Sequence, residues 1–385
     1  MLQNINLDEI CISLFNDTKE MQKPFIEQDL GTLILLATNY KLSQNKRYKE
    51  LALVLYEKLI EVIPEFDYSF SMLEGFDGVA WTIQYIKKCG VKDTSEDYDS
   101  IKDYLIESVE NSITDNDFDF LYGATGKLNL ILNSEDANFL PQSIYFAYID
   151  GIAKFFKNAT SDNNENELNL GFAHGLSSIL LVISKIYLKI AKEECIKETI
   201  QDIITFYLNI QSLHPDYSYG RMYDPKNRTM DNASQFAWCY GDLTIIYSLL
   251  YAADAVGIDN EEIIHSVNKL KNRNTQNIGL INFEDYNFLN TSFCHGISGI
   301  YMSLYKINKY ADVSNNLKYW EEQLFIHLNQ QLLFKGKTIY FPKERQDENY
   351  TYTLDNQEML NGLVGAVLTL LTIEYKNNDW SDFMF

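Results

Sequence analysis

Apolar residues return every three or four positions along most of this chain. Between Lys46 and Val62, Leu51, Leu55 and Leu59 stand four apart, and Ile101, Leu105, Val109 and Ile113 repeat the spacing. Side chains four apart share one face of a helix, so both runs predict amphipathic helices. Strand-like segments are confined to two patches, residues 217–223 and 337–352. A helical protein with two minor β excursions is expected.

A much longer period overlies the helical one. A glycine, a small residue three positions on and then an apolar run recur at Gly75/Gly78, Gly123/Gly126, Gly175/Ser178, Gly241/Thr244, Gly296/Gly299 and Gly362/Gly365. A degenerate first copy begins at Gly31. Each interval has room for two helices and two loops. The leading glycine suits an unusual turn into a helix, and the small residue lets inner helices crowd together. Seven copies favour a closed double ring, because an open stack shows atypical capping copies at its ends. The expected fold class is all-α, an (α/α) toroid of seven helix pairs forming a single domain over residues 1–385. The 6 Pro and the lack of any Gly/Ser-rich linker agree with one continuous body.

Composition narrows the function. The chain has 385 residues, with 54 acidic against 32 basic side chains and a formal charge of −22. That charge repels phosphate backbones and anionic lipid, so neither nucleic acid nor a membrane surface is an expected partner. No run of 18 apolar residues predicts a transmembrane segment. Asp8 and Glu9 stand where a signal peptide would be basic and then apolar. Five cysteines, sparse and odd in number, fit a reducing cytoplasm without a disulfide framework.

Chemistry must come from what differs between copies. Cys239 and Cys294 each lie two places before a leading glycine, while His174 and His295 lie immediately before theirs. In a ring, equivalent register positions converge at one end of the central cavity. Two thiolates and an imidazole meeting there match a catalytic zinc site, which keeps its fourth position open. Cys11, Cys89 and Cys195 stand outside the register and read as small hydrophobes. His214, His265 and His327 read as surface or packing residues.

The segments Gly171-Phe172-Ala173-His174-Gly175, Trp238-Cys239-Tyr240-Gly241 and Cys294-His295-Gly296 resemble, in order, the three signatures of the lanthionine synthetase C-like family. These are the zinc-dependent cyclases of class I lanthipeptide biosynthesis. The terminal Asn378-Asp379-Trp380-Ser381-Asp382-Phe383 resembles that family's ending. The resemblance implies an (α/α) toroid with a zinc ion near its central cavity, held by Cys239, Cys294 and His295. It implies a catalytic role for His174, and roles for Asp119, four residues before Gly123, and for Tyr240. Two positions depart from the family pattern: Gln235 stands where many members carry arginine, and Thr244 ends a motif that commonly ends in glycine.

The activity so implied is addition of a peptide cysteine thiol to dehydroalanine or dehydrobutyrine in a dehydrated precursor peptide, forming a thioether ring. A dehydratase and export machinery are the further partners it implies. His174 is the expected proton donor, with Asp119 orienting it. Residues 212–234 are expected to form a lid over the mouth, from which Arg221 or Arg228 restores the charge that Gln235 lacks. Two other readings stay open. One is a non-catalytic zinc- or thiol-binding scaffold. The other is a toroidal glycosidase using carboxylates among Asp77, Asp119 and Asp242.

Overall fold

The computed structural model describes residues 5–66, 68–69, 71–134, 137–231, 236–280, 282–283, 287–333, 338–341, 350–353 and 357–385. The chain opens with α1 (Leu7–Thr18), α2 (Asp29–Ser43) and α3 (Lys46–Val62). Next come α4 (Phe76–Lys88), the short α5 (Ser95–Asp99), α6 (Lys102–Thr114), α7 (Ala124–Leu132) and α8 (Gln142–Ala159). After them lie α9 (Leu176–Lys189), α10 (Glu194–Ile210), α11 (Asp242–Val256) and α12 (Glu261–Leu270). Finally α13 (Ile297–Ile307), α14 (Ser314–Leu332) and α15 (Leu363–Tyr375) complete the set.

Seven of these helices form an inner ring, packed in the order α2, α4, α7, α9, α11, α13, α15 and back to α2. Most residues of α11 and α15 are buried, on every face of each helix. The outer helices bury one stripe only. In α10 it is Ile196, Thr199, Ile200, Ile203, Ile204 and Tyr207. Several buried hydroxyls of the inner ring bond within their own helices, as Thr82 donates to Gly78 O and Thr369 to Gly365 O.

The loops before the inner helices sew the ring shut at one end. Glu27 N donates to Leu73 O, and Met72 N to Leu121 O. Phe172 N and Ala173 N both donate to Cys239 O, Trp238 N to Cys294 O, and Phe293 N and Cys294 N to Leu360 O. Leu360 N returns to the Glu27 carboxylate at 2.8 Å, and the step from the loop before α7 to the loop before α9 is made by the Asp119 and His174 side chains at 2.7 Å. All seven inner helices therefore start at the same mouth.

The glycines work differently from the expectation. Gly75, Gly123, Gly175, Gly296 and Gly362 have ordinary extended backbone, and only Gly241 adopts a positive φ, at 97°. The shared need is space. A Cβ on Gly175 would lie 2.4 Å from Asn169 O, and one on Gly126 would lie 1.8 Å from Phe120 O. The first copy is shifted: Gly31 lies inside α2 and does the close-packing job of the second glycine, its Cβ position 2.8 Å from Ile26 O.

The bore of the ring is filled. Trp238, Phe172, Phe293 and Phe385 pack on one another beneath the mouth. Residues 378–385 enter from the far end, where Trp380 Nε1 donates to Thr372 at 2.8 Å, and they reach up the bore until Met384 O accepts from Trp238 Nε1 at 3.0 Å. Among the described residues, three small sheets decorate the ring. The first is three-stranded and antiparallel, made of β1 (Leu168–Asn169), β2 (Met222–Asp224) and β3 (Thr229–Met230). The second pairs β4 (Asn282–Phe283) with β5 (Phe288–Leu289), and the third pairs β6 (Thr338–Phe341) with β7 (Tyr350–Thr353).

Candidate metal centre

Cys239, Cys294 and His295 come from the loops that open α11 and α13. Each offers one ligand atom, and all three atoms lie within 4.8 Å of one another. A tetrahedral ion with thiolate bonds needs its donors about 4 Å apart, so the set fits such an ion. Both thiols are buried. Cys294 is pushed well above the usual thiol range, first by its hydrogen bond to Cys239 and then by burial. Burial pulls His295 down, but its hydrogen bond to Cys294 and the charge there outweigh this, and the net shift is upward. Crowded soft donors of this kind favour a bound cation. Gly241 makes the arrangement possible, because its left-handed φ turns the chain sharply between Cys239 and α11.

Tyr240 hydrogen-bonds His295 Nε2 through its hydroxyl at 3.2 Å. Burial first, and then the two cysteines, push the phenol up to about 12. Arg221 opposes that shift, hydrogen-bonding the phenol while its Cζ lies 5.8 Å from the ring centre. Arg221 is paired with Asp231, Nε lying 3.7 Å from Oδ2, while its backbone N–H donates to Asp231 Oδ1 at 2.6 Å. Arg228 turns elsewhere and pairs with Asp162 at 2.5 Å. Gln235 lies outside the described residues.

His174 stands at the mouth in the same register as His295 but outside the donor cluster, and it is exposed. Its Nδ1 lies 2.7 Å from Asp119 Oδ2, while Asp119 Oδ1 accepts from Leu121 N and Tyr122 N at 2.7 and 3.0 Å. The Asp119 hydrogen bond raises His174 above the ordinary imidazole range against the opposing effect of burial. Tyr122 stacks on the imidazole, with ring centres 6.0 Å apart and planes 15° apart. Sequence reasoning passed over Tyr122, although it precedes Gly123 as His174 precedes Gly175; comparing that register position across copies would have found it.

The glycosidase carboxylates do not assemble. Asp77 is buried beside Lys127, where Oδ2 accepts from Ser108, and Asp242 Oδ1 accepts from Ser218 N and Tyr219 N. Both serve the scaffold, which leaves Asp119 alone. Cys195 is also corrected, being exposed on α10 and not a core hydrophobe. The 212–231 part of the expected lid is anchored as a wall. Ser218, Tyr219 and Gly220 are buried, Lys269 donates to Ser212 O and Tyr217 O, and Arg273 donates to Asp216 O. Residues 232–234 lie outside the described set.

The family model described as "Lanthionine synthetase C-like protein" matches residues 29–385. "Nisin biosynthesis protein NisC" of Lactococcus lactis subsp. lactis is 23% identical over 391 residues, covering 90% of this chain and 84% of that protein. A solved structure of "Nisin cyclase" superposes with a TM-score of 0.74 at 19% identity, covering 98% of this chain and 96% of the other. An α-1,6-mannanase from a Salegentibacter species reaches 0.44 at 10% identity, covering 96% and 100%.

Proposed function

The chain belongs to the lanthionine synthetase C-like family, and from that premise we propose that it is a zinc-dependent lanthionine cyclase. The observation that carries this reading is the meeting of two thiols and an imidazole within 4.8 Å, on the same mouth as an Asp–His pair. Cys239, Cys294 and His295 would hold the ion. When bound, zinc supplies the charge that keeps a substrate thiol deprotonated near neutral pH.

The chain's own residues supply the rest. The substrate sulfur forms a bond to the β-carbon of dehydroalanine or dehydrobutyrine, and the displaced π pair becomes an enolate on the adjacent carbonyl. His174, held by Asp119 and carrying a proton above the usual imidazole pH, delivers that proton to the α-carbon. The thiol proton passes to solvent, from which His174 regains the one it gave to the α-carbon, so the product is an isomer of the substrate. Arg221, seated over Tyr240, provides a fixed cation beside the thiolate-rich centre, the part that arginine plays elsewhere in the family and that Gln235 lacks. The substrate is a dehydrated precursor peptide, so a reaction class that eliminates water from Ser and Thr must precede this one, and export of the product follows it. Among the described residues no helix is long and apolar enough to cross a membrane. Five cysteines that form no disulfide suit a cytoplasmic place of work.

The test is incubation of the zinc-loaded protein with a verified dehydrated peptide, followed by thiol alkylation and mass analysis. Loss of alkylatable thiol at constant peptide mass is expected. Retained zinc with full alkylation would instead favour the non-catalytic scaffold.

A further inference from the structure

A cleft of about 660 Å³ opens beside the Asp119–His174 pair and runs outward between α8 and residues 164–169. Its inner end is formed by Asp119, His174 and Gly175. Its floor is aromatic, with Phe118 lying 5.9 Å from Phe155 between ring centres. Gly151 allows this floor, since a Cβ there would come within 2.7 Å of the Phe118 ring. The rims carry Asn116, Asn158 and Asn166, whose side-chain amides have no hydrogen bond to the protein among the described residues.

The volume falls in the range of sites for small ligands and is too small for a folded partner. Each asparagine offers both donor and acceptor, the pairing that a peptide backbone requires, and the aromatic floor offers contact to side chains of any sequence. The Cys/His cluster contributes nothing to the lining, so the cleft serves the proton-donor half of the mouth.

We propose that this cleft is the bed for an extended stretch of the substrate peptide, whose dehydrated residue lies at the His174 end while the flanking residues run outward along α8. The proposal rests on the cyclase reading. Recognition through backbone amides over an apolar floor accommodates different flanking sequences.

Asn158→Trp tests it, because Asn158 is exposed on α8 and an indole there fills the cleft without disturbing the core. The same graft at Asn268, exposed on α12 and remote from this cleft, is the control. Binding of a fluorescent dehydrated peptide, KM, kcat and zinc content are read for each. Asn158→Trp is expected to weaken binding and raise KM about tenfold, a loss of roughly 1.4 kcal/mol, with a smaller effect on kcat and no loss of zinc. Asn268→Trp is expected to match the wild type. Unchanged Kd and KM in Asn158→Trp would overturn the assignment, as would a wild-type protein that binds no dehydrated peptide. If the wild type binds the peptide without cyclising it and Asn158→Trp weakens that binding, the cleft stands and the cyclase reading falls.

Discussion

The two ends of the inner ring are built from the same helices and do opposite work. At the mouth, the loops before the helices cross-link through backbone hydrogen bonds and present Tyr122, His174, Tyr240 and His295 from one register position. At the far end, Lys41 reaches Asp379 at 2.6 Å, Lys306 reaches Asp382 at 3.2 Å, and Lys88 reaches it at 3.8 Å. The buried Lys185 bonds Asn129 and Phe385 O. Lysines here answer the carbonyls and carboxylates of a tail that fills the bore, and burial pulls Lys185 well below the usual lysine range. One end is therefore open to chemical change at little structural cost, and the other is committed to stability.

That contrast can be broken in graded ways. The largest expected effect is at the mouth. A Cys239→Ala, Cys294→Ala double variant should lose its zinc and all cyclisation, yet keep its helical circular dichroism, because the ring has its own core. Retention of a full zinc equivalent by elemental analysis would remove the ligand assignment. His174→Ala should keep its zinc and cyclise about 10² to 10⁴ times more slowly, the usual loss for a positioned acid. Metal loss in that variant would make His174 a ligand.

The far end should answer in the other currency. Trp380 is fully buried, and Trp380→Ala should cost about 3–5 kcal/mol of stability in a denaturant titration, while kcat at permissive temperature changes little. A large fall in kcat there would mean that the two ends are coupled. Smaller effects sharpen the picture of the mouth. Arg221→Ala should slow cyclisation roughly tenfold, near the value of one charge-assisted hydrogen bond, whereas Arg228→Ala, whose ion pair with Asp162 is exposed, should be silent. Equal loss in both variants would refute that division of labour.

The smallest effect is a displacement along the pH axis. Because Asp119 raises His174, the imidazolium persists above the pH at which a free imidazole deprotonates, and it is lost as pH rises through the raised value. The stability that the pair contributes follows the same course, fully present at low pH and lost over that window. Asp119→Asn should move the alkaline limb of the rate profile to lower pH, and an unmoved limb would assign it to another group.

Much of the mouth was legible because its donors keep step with a repeated glycine. Cys239, Cys294, His295 and His174 differ from their counterparts at matched positions, and the ring brings matched positions together. The helix over Lys46–Val62 was equally legible, since an outer helix buries a single stripe and shows its period. The wall at 212–231 was not. Its anchors are Asp242, Lys269 and Arg273, which no local spacing connects to Ser218 or Tyr217. The far end was hidden for the same reason, because Asn129, Lys185 and Lys306 meet a tail about 80 to 250 residues away in sequence. Such pairings follow from closing the ring and leave no motif. The reason for the glycines was also out of reach, since a crowded carbonyl and a positive φ ask for the same residue.

One consequence of the shared starting point of the inner helices concerns potential. Peptide dipoles aligned along a helix amount to about half a positive elementary charge at its first turn. Seven helices beginning at one rim sum to about +3.5 before solvent screens them. Asp29, Asp77 and Asp242 lie in the first turns of α2, α4 and α11 and draw on that positive end, whereas α7, α9, α13 and α15 carry no acidic residue in theirs and leave their share open to a substrate anion. Anionic sulfur and an enolate oxygen are the species that such a field favours, and it favours them before any ion binds.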